Sequence, residues 1–283
     1  MSQKSQLNTY LKTKDFLLTG EEFELKYNEE LQLLETFPQP SENALARYYE
    51  SPEYISHTDS QKGLMAFLYR KVKSYSINKK CKLLSGLQPE KGLLLDVGAG
   101  TGEFLKAAKS DGWEVMGVEP NKEAAQLASN KVKRIYSSLD EMENIKFDAI
   151  TLWHVLEHLP NLDKVIHKLH SLLKEGGVLI IAVPNYKSYD ANYYKEFWAA
   201  YDVPRHLWHF SQHTIKTLFT PQLVLEKIKP MIFDSFYVSL LSEKYKTGKK
   251  FSLKAFWVGF RSNWSAKRTG EYSSLIYCFK KPN

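Results

Sequence analysis

Residues 93–102, Leu-Leu-Leu-Asp-Val-Gly-Ala-Gly-Thr-Gly, constrain the fold more than any other stretch. Three leucines running into an acid read as a buried parallel strand. Gly98, Gly100 and Gly102 then alternate with small residues, which permits a tight turn whose backbone comes close to a ligand. Glu103 to Ala108 has helical composition. Strand, glycine turn and helix form the nucleotide-type site of an open α/β sheet. A second strand, beginning at Trp113, ends in Glu119-Pro120-Asn121. Glu119 lies 17 residues beyond Gly102, near the ~20-residue spacing of a carboxylate that accepts from ribose hydroxyls. A lone glycine cluster is an ordinary turn; the strand before it, the helix after it and the acid at the next strand end argue for a bound nucleoside.

A dinucleotide fingerprint requires Gly or Ala at its sixth position, where this chain has Glu103, a poor neighbour for pyrophosphate at a helix N-terminus. S-adenosylmethionine carries no phosphate and has a sulfonium cation, so nearby acids are tolerable. At these residues the chain resembles the class I S-adenosylmethionine-dependent methyltransferases. Asp96-Val-Gly-Ala-Gly-Thr-Gly102 matches their first motif and Gly-Val-Glu119-Pro120 their second. The likeness runs from about Leu93 to Asn185. It implies that Asp96, Gly98, Ala99, Gly100 and Gly102 cradle the cofactor and that Glu119, with Pro120, holds its ribose.

The 283 residues, 43% hydrophobic and 25% charged, suit one large domain or one domain with an elaborated end. Repeats, low-complexity tracts, a signal peptide and membrane-spanning apolar runs are not evident. Two cysteines far apart, Cys81 and Cys278, make a reduced cytoplasmic protein the simplest expectation. Net charge is +7 and uneven: residues 243–283 hold ten Lys or Arg against Glu243 and Glu271, a local +8, so the remaining 242 residues net −1.

Along the chain, Asp15 to Lys26 predicts a hairpin turning near Gly20. With Pro38-Gln-Pro40 it resembles a small N-terminal module in which a Cys-x-x-Cys ribbon precedes Pro-x-Pro. Asn28 and Leu31 stand at the cysteine places, so a thiolate zinc site is excluded and no metal is expected. A long helix is expected over about Ser60 to Leu84. Ahead of it, Tyr54 and His57 are candidates for a lid over cofactor and substrate, or a surface turn. Asn121 caps a helix, Val132–Tyr136 reads as a third strand, and relatives place an adenine-binding aspartate where Ser138 stands, leaving backbone groups of Ser138 and Leu139 for the ring edge. The fourth strand, from Phe147, ends at Trp153-His154. The resemblance brings Trp153, His154 and His158 to the methionine end of the cofactor and the substrate, although Glu157 and His158 also suit an ordinary helix start. Gly176-Gly177 is expected to end the next helix before an apolar strand, Val178–Val183.

The loop beyond Asn185 frames the acceptor in related small-molecule O-methyltransferases and carries a histidine there. His206 is the first candidate base and His209 the second, histidine titrating nearest neutrality; Arg205 is a candidate acceptor contact. The bland alternative is that all three tie the loop to the sheet. Leu223–Phe236 reads as a sixth strand and Ser274–Phe279 as a reversed last strand. Between them Leu253, Phe256, Trp257, Phe260 and Trp264 share one helical face and Lys254, Arg261 and Arg268 another. This basic helix is compatible with a lid, with contact to an anionic membrane surface, with docking of an anionic or nucleic-acid acceptor, or with a plain core helix. No RNA-binding motif accompanies it, which disfavours nucleic acid.

The expected fold is therefore α/β: a Rossmann-like, mostly parallel seven-stranded sheet with a reversed last strand, an N-terminal extension (1–59), a cofactor-binding domain (60–236), a lid insertion (237–272) and a final strand (273–283). The implied function is methyl transfer from S-adenosyl-L-methionine to a small-molecule, lipid-like or saccharide acceptor, at oxygen. The rivals are a nucleic-acid or protein methyltransferase docking through the basic segment, a non-catalytic cofactor-binding partner, and, more weakly, a nicotinamide enzyme. Acceptor identity and oligomeric state are not encoded in any motif.

Overall fold

Alternation along the strands divides the core in two. In the computed structural model, which describes residues 8–49 and 64–283 apart from 143, 221 and 250, the central strands are β4 (Leu93–Val97), β5 (Glu114–Val118), β6 (Ile135–Tyr136), β7 (Phe147–Trp153) and β8 (Leu173–Pro184). Successive side chains point to opposite faces. Leu95, Val97, Ile150, Leu152, Leu179 and Ile181 fill one core, while Leu94, Ala149, Val178, Ile180 and Ala182 fill the other. Both faces are covered by helices, so the strands read as near-continuous apolar runs.

Strand order is β10-β11-β8-β7-β4-β5-β6, with β10 (Val224–Pro230) at one edge and β11 (Ser274–Lys280) antiparallel between β10 and β8. The remaining central pairs are parallel. After β4 the chain moves outward through β5 and β6, then returns to β7 on the other side of β4. That reversal opens a crevice beyond the carboxyl ends of β4 and β7, where open α/β sheets bind ligands. The seven-stranded sheet and its reversed last strand are as expected from the sequence.

The helices around this sheet are α2 (Leu64–Leu87), α3 (Glu103–Ser110), α4 (Lys122–Ser129), α5 (Leu162–Leu172) and α7 (Gln212–Phe219). Asn121 and Ser211 cap α4 and α7 by accepting from Ala124 N–H and Thr214 N–H. Three boundaries differ from the sequence expectation. The third strand contracts to Ile135–Tyr136 at the sheet edge. Gly176-Gly177 does not end α5: the helix stops at Leu172 and passes directly into β8, with Gly176 N–H donating to Lys281 O. The sixth strand ends at Pro230, and the expected single insertion helix is a pair, α8 (Asp234–Thr247) and α9 (Leu253–Thr269).

A second body covers the carboxyl ends of the sheet. Strands β1 (Asn8–Lys14), β2 (Glu22–Asn28) and β3 (Leu33–Phe37) form an antiparallel meander, and Trp208–His209 (β9) joins its edge. The β1–β2 connection contains Gly20 at φ 72°, where the hairpin turn was expected. At the two places where a ribbon would carry cysteines, the Asn28 carboxamide accepts from Leu31 N–H at 3.2 Å, so a polar turn closes this end. A third core joins the meander to the aromatic loop and the helix pair: Phe23, Leu25, Tyr48, Tyr186, Tyr194, Trp198, Tyr201, Val238 and Val258. The helix α1 (Glu42–Leu45) and the turn at Ala46–Tyr49 follow the meander. Tyr54 and His57, the lid candidates, lie outside the described residues.

Candidate active site

The glycine turn explains itself atom by atom. Gly98 has φ 72°, and a Cβ there would stand 2.3 Å from Val155 Cγ2. Its N–H and that of Ala99 both donate to Val118 O, at 2.8 and 2.9 Å, which folds the turn over the end of β5. Gly100 has φ 53°, yet a Cβ built on it would meet nothing within 4 Å. The first glycine is required by a wall; the second faces open space, a cradle that a side chain would fill. Gly102 opens α3 as its N-cap.

Glu119 is tied to that cradle. One carboxylate oxygen accepts from Gly100 N–H at 2.7 Å and the other from Asn121 N–H at 2.9 Å. Two backbone donors set its orientation, and each oxygen retains a lone pair for a hydroxyl. Pro120 follows on the exposed side. Beneath the turn, Asp96 is buried and accepts from Thr151 Oγ1 at 2.6 Å. Burial pushes its pKa up to about 7, against the opposing pull of Thr151 and Lys80. Lys80, from α2, lies 4.3 Å from the Trp153 ring centre. Its pKa is lowered by burial, with Asp96 and Asp234 opposing. Trp153 packs edge-on to Phe104, so its ring turns to the α2–α3 side of the sheet. Ser138 N–H donates to Glu141 Oε1 at 3.0 Å in a capping box over Leu139–Glu141; that backbone donor is engaged within the turn, and Leu139 packs on the core.

The end of β7 carries a charge chain. His154 has φ 57°. Its Nε2 lies 3.1 Å from Asp234 Oδ2 and its Nδ1 3.3 Å from Glu157 Oε1. Burial alone would lower its pKa, but bonds to Asp234 and Glu157 outweigh this and lift it to about 10. His154 is therefore a cation at neutral pH between two acids. Glu157 is 1% exposed; burial raises its pKa, and His154 with the neighbouring histidines lowers it further than burial raises it, leaving it ionised.

His158 and His206 meet edge to face, ring centres 4.5 Å apart. His158 Nδ1 lies 3.0 Å from Arg205 O and 3.1 Å from Tyr49 Oη. Burial, then His206, pushes its pKa down to about 4, so it is neutral. His206 Nδ1 lies 2.9 Å from Ala200 O. A carbonyl only accepts, so Nδ1 of each ring carries a proton, and in the neutral His158 ring Nε2 keeps its lone pair. Glu157, His158 and His206 bring ligand atoms within 4.8 Å of one another. That donor set also suits a divalent metal; the cation beside Glu157 is His154, which it shares with Asp234.

His209 and Arg205 serve the architecture. Thr36 Oγ1 donates to His206 O at 2.6 Å and lies 3.0 Å from His209 Nε2. Burial and His206 hold the His209 pKa well below its ordinary value. Arg205, expected as an acceptor contact, is 1% exposed. It donates to Asp15 at 2.7 Å, to Asp202 at 2.7 Å and to Tyr48 O at 3.0 Å, and it locks the loop to the N-terminal meander. Sequence reasoning missed Lys80, Thr151 and Asp234. Lys80 sits in a long helix without a motif and Asp234 inside an expected strand, so neither carried a local signal.

A glycine cradle tied to a strand-end carboxylate, at the switch point of a sheet with a reversed last strand, defines a class I S-adenosylmethionine-dependent methyltransferase. Residues 68–221, more than half of the chain, match the family model described as "Methyltransferase domain", and the chain belongs to that family. Its cofactor is S-adenosylmethionine. A ubiquinone biosynthesis O-methyltransferase from Alkalilimnicola ehrlichii is 32% identical over 112 residues, 36% of this chain and 44% of the relative. An uncharacterized protein from Methanocaldococcus jannaschii is 25% identical over 225 residues, 68% and 60% of the two chains. The aligned stretch spans about half the length of the curated relatives it matches. Magnesium protoporphyrin IX methyltransferase from Synechocystis PCC 6803 shares the fold with a TM-score of 0.56 at 14% identity, covering 85% of this chain and 100% of that one.

Proposed function

We propose that the protein methylates a hydroxyl of a small, lipid-like acceptor, with His206 as general base. The observation that carries this reading is the His206–His158–Glu157 cluster beside the crevice. His206 Nδ1 is committed to Ala200 O, which leaves Nε2 to receive a proton. The buried Glu157 carboxylate belongs to the same cluster, with a ligand atom within 4.8 Å of one on His206, and its negative charge favours the imidazolium that forms. His158, neutral and held by Arg205 O, packs the base in place.

When bound, S-adenosylmethionine supplies an already activated methyl group. The residues fit it: Gly100 leaves room for the nucleoside, Glu119 has spare lone pairs for its ribose hydroxyls, and Lys80 brings an amine donor for its carboxylate. Trp153 and His154 end the strand that faces its methionine part. Holding nucleophile and methyl group in line supplies on the order of 7–11 kcal/mol of the barrier, and proton removal by His206 adds a factor on the order of 10²–10⁴. Similarity to ubiquinone biosynthesis O-methyltransferases supports oxygen as the acceptor atom and an apolar phenol as the acceptor class. The test is a screen of hydroxylated quinone precursors, phenols and saccharides with wild type and His206→Gln. Turnover of a phenol that His206→Gln loses, with S-adenosylhomocysteine affinity unchanged, supports the reading; turnover only on RNA or protein overturns it.

A further inference from the structure

Helix α9 is packed inside out. At about 100° per residue, Leu253, Phe256, Trp257, Phe260 and Trp264 occupy one stripe about 100° wide. The expectation of a core helix would turn this stripe inward. Instead the buried residues are Ala255, Val258, Gly259, Ser262 and Ala266, on the opposite side. The small side chains allow close approach: a Cβ on Gly259 would stand 2.9 Å from Phe236 Cα of α8. Ser262 donates to the buried Asp190 at 2.6 Å, which anchors that side. The large residues are left to solvent, with Leu253 76%, Trp257 57%, Phe260 55% and Trp264 50% exposed. Phe251, just before the helix, is exposed beside Phe256.

Charge selects what covers this face. Residues 253–269 contain no Asp or Glu, and Lys254, Arg261 and Arg268 run along one flank of the stripe. A two-fold pairing of this face with a second copy would set the basic ridge against itself. An anionic lipid surface matches both features: Trp, Phe and Leu enter the headgroup boundary while Lys and Arg meet lipid phosphates. No helix among the described residues is long and apolar enough to cross a membrane, so the helix would lie on the bilayer. Asn263 Nδ2 donates to Ile232 O at 2.8 Å, and Ile232 and Phe233, also exposed, precede the Asp234 that holds His154.

We infer that the outward face of α9, with Phe251, Ile232 and Phe233, is a docking surface for anionic membranes that holds the catalytic crevice beside the bilayer. The inference stands apart from the choice of acceptor, and its test does not use turnover. The full chain is sedimented with vesicles of phosphatidylcholine alone and of phosphatidylcholine with phosphatidylglycerol. The expected result is binding to the anionic vesicles, weakened by salt, with a blue shift of tryptophan emission. A variant carrying Phe256→Ser, Trp257→Ser, Phe260→Ser and Trp264→Ser should lose binding about tenfold or more. A second variant, Lys254→Glu, Arg261→Glu and Arg268→Glu, should lose anionic selectivity; unchanged S-adenosylhomocysteine affinity in both shows that the fold persists. Equal binding by wild type and variants, or no preference for phosphatidylglycerol, overturns the inference. So does a vesicle-independent dimer abolished by the serine variant, which would assign the stripe to a second copy.

Discussion

Gly100 and Glu119 are joined: the glycine N–H donates to a carboxylate oxygen of the acid at 2.7 Å. The glycine turn and the carboxylate are thus one unit built from two strand ends, β4 and β5, which pair in parallel register. On the proposed reading neither needs to reorganise for a nucleoside to bind, so affinity should be sensitive to bulk at Gly100.

Gly100→Val should abolish cofactor binding. Its side chain would enter the open space above the turn and strain a backbone at φ 53°, which costs a β-branched residue at least ~1–2 kcal/mol. Calorimetry with S-adenosylhomocysteine checks this; unchanged affinity would remove the glycine turn from the cofactor site.

His206→Gln should lower kcat by a factor on the order of 10²–10⁴ and leave S-adenosylhomocysteine affinity near wild type. The glutamine can keep a bond to Ala200 O but cannot take the proton. Wild-type turnover would exclude His206 as base.

Stability should depend on pH through His154. Its folded pKa, about 10, lies above the ordinary 6.5, so its contribution is full below about 6.5 and disappears as pH rises through 10. Asp234→Asn removes one of its two acids. The urea midpoints of wild type and Asp234→Asn should differ most near pH 6 and converge near pH 10; a constant gap would contradict the charge chain.

Arg205→Met should destabilise the fold by about 3–5 kcal/mol, because it strands the buried Asp15 carboxylate. Bonds to Arg205 and Thr19 hold that acid below its ordinary pKa although burial alone would raise it. Denaturant titration measures the loss, and limited proteolysis should cut the N-terminal meander first. A variant as stable as wild type would mean that the loop does not depend on this pair.

Chelation should leave turnover unchanged. Glu157 already has a cation beside it in His154, and the proposed proton transfer to His206 requires no metal. Turnover lost in EDTA and restored by a divalent ion would show that the cluster holds a metal.

Local chemistry made the glycine turn and its strand-end carboxylate legible. A strand of three leucines, a turn of alternating glycines and an acid at the next strand end each act within a short span of chain, so spacing alone singled out Gly100 and Glu119, which the fold joins by a hydrogen bond. The mostly parallel seven-stranded sheet and its reversed last strand followed from the same apolar strand pattern and the resemblance it supported. Long-range partners escaped that reading. Arg205 meets Asp15 across 190 residues of sequence, and only folding brings the N-terminal meander onto the loop and turns an apparent acceptor contact into a buried tie. His154 likewise acquires its charge from Asp234, 80 residues away.

The helix α9 shows the division most plainly. The amino-acid order alone determined that two stripes exist, one large and aromatic, one small, because helical period sorts residues onto faces without reference to anything else. Which stripe turned inward was decided by the tertiary structure, since α8 and Asp190 offer a shallow wall that Gly259, Ser262 and Ala266 can approach and Trp257 and Trp264 cannot. Close packing rewards fit to the neighbour as well as apolarity, and the neighbour is not written in the segment it covers.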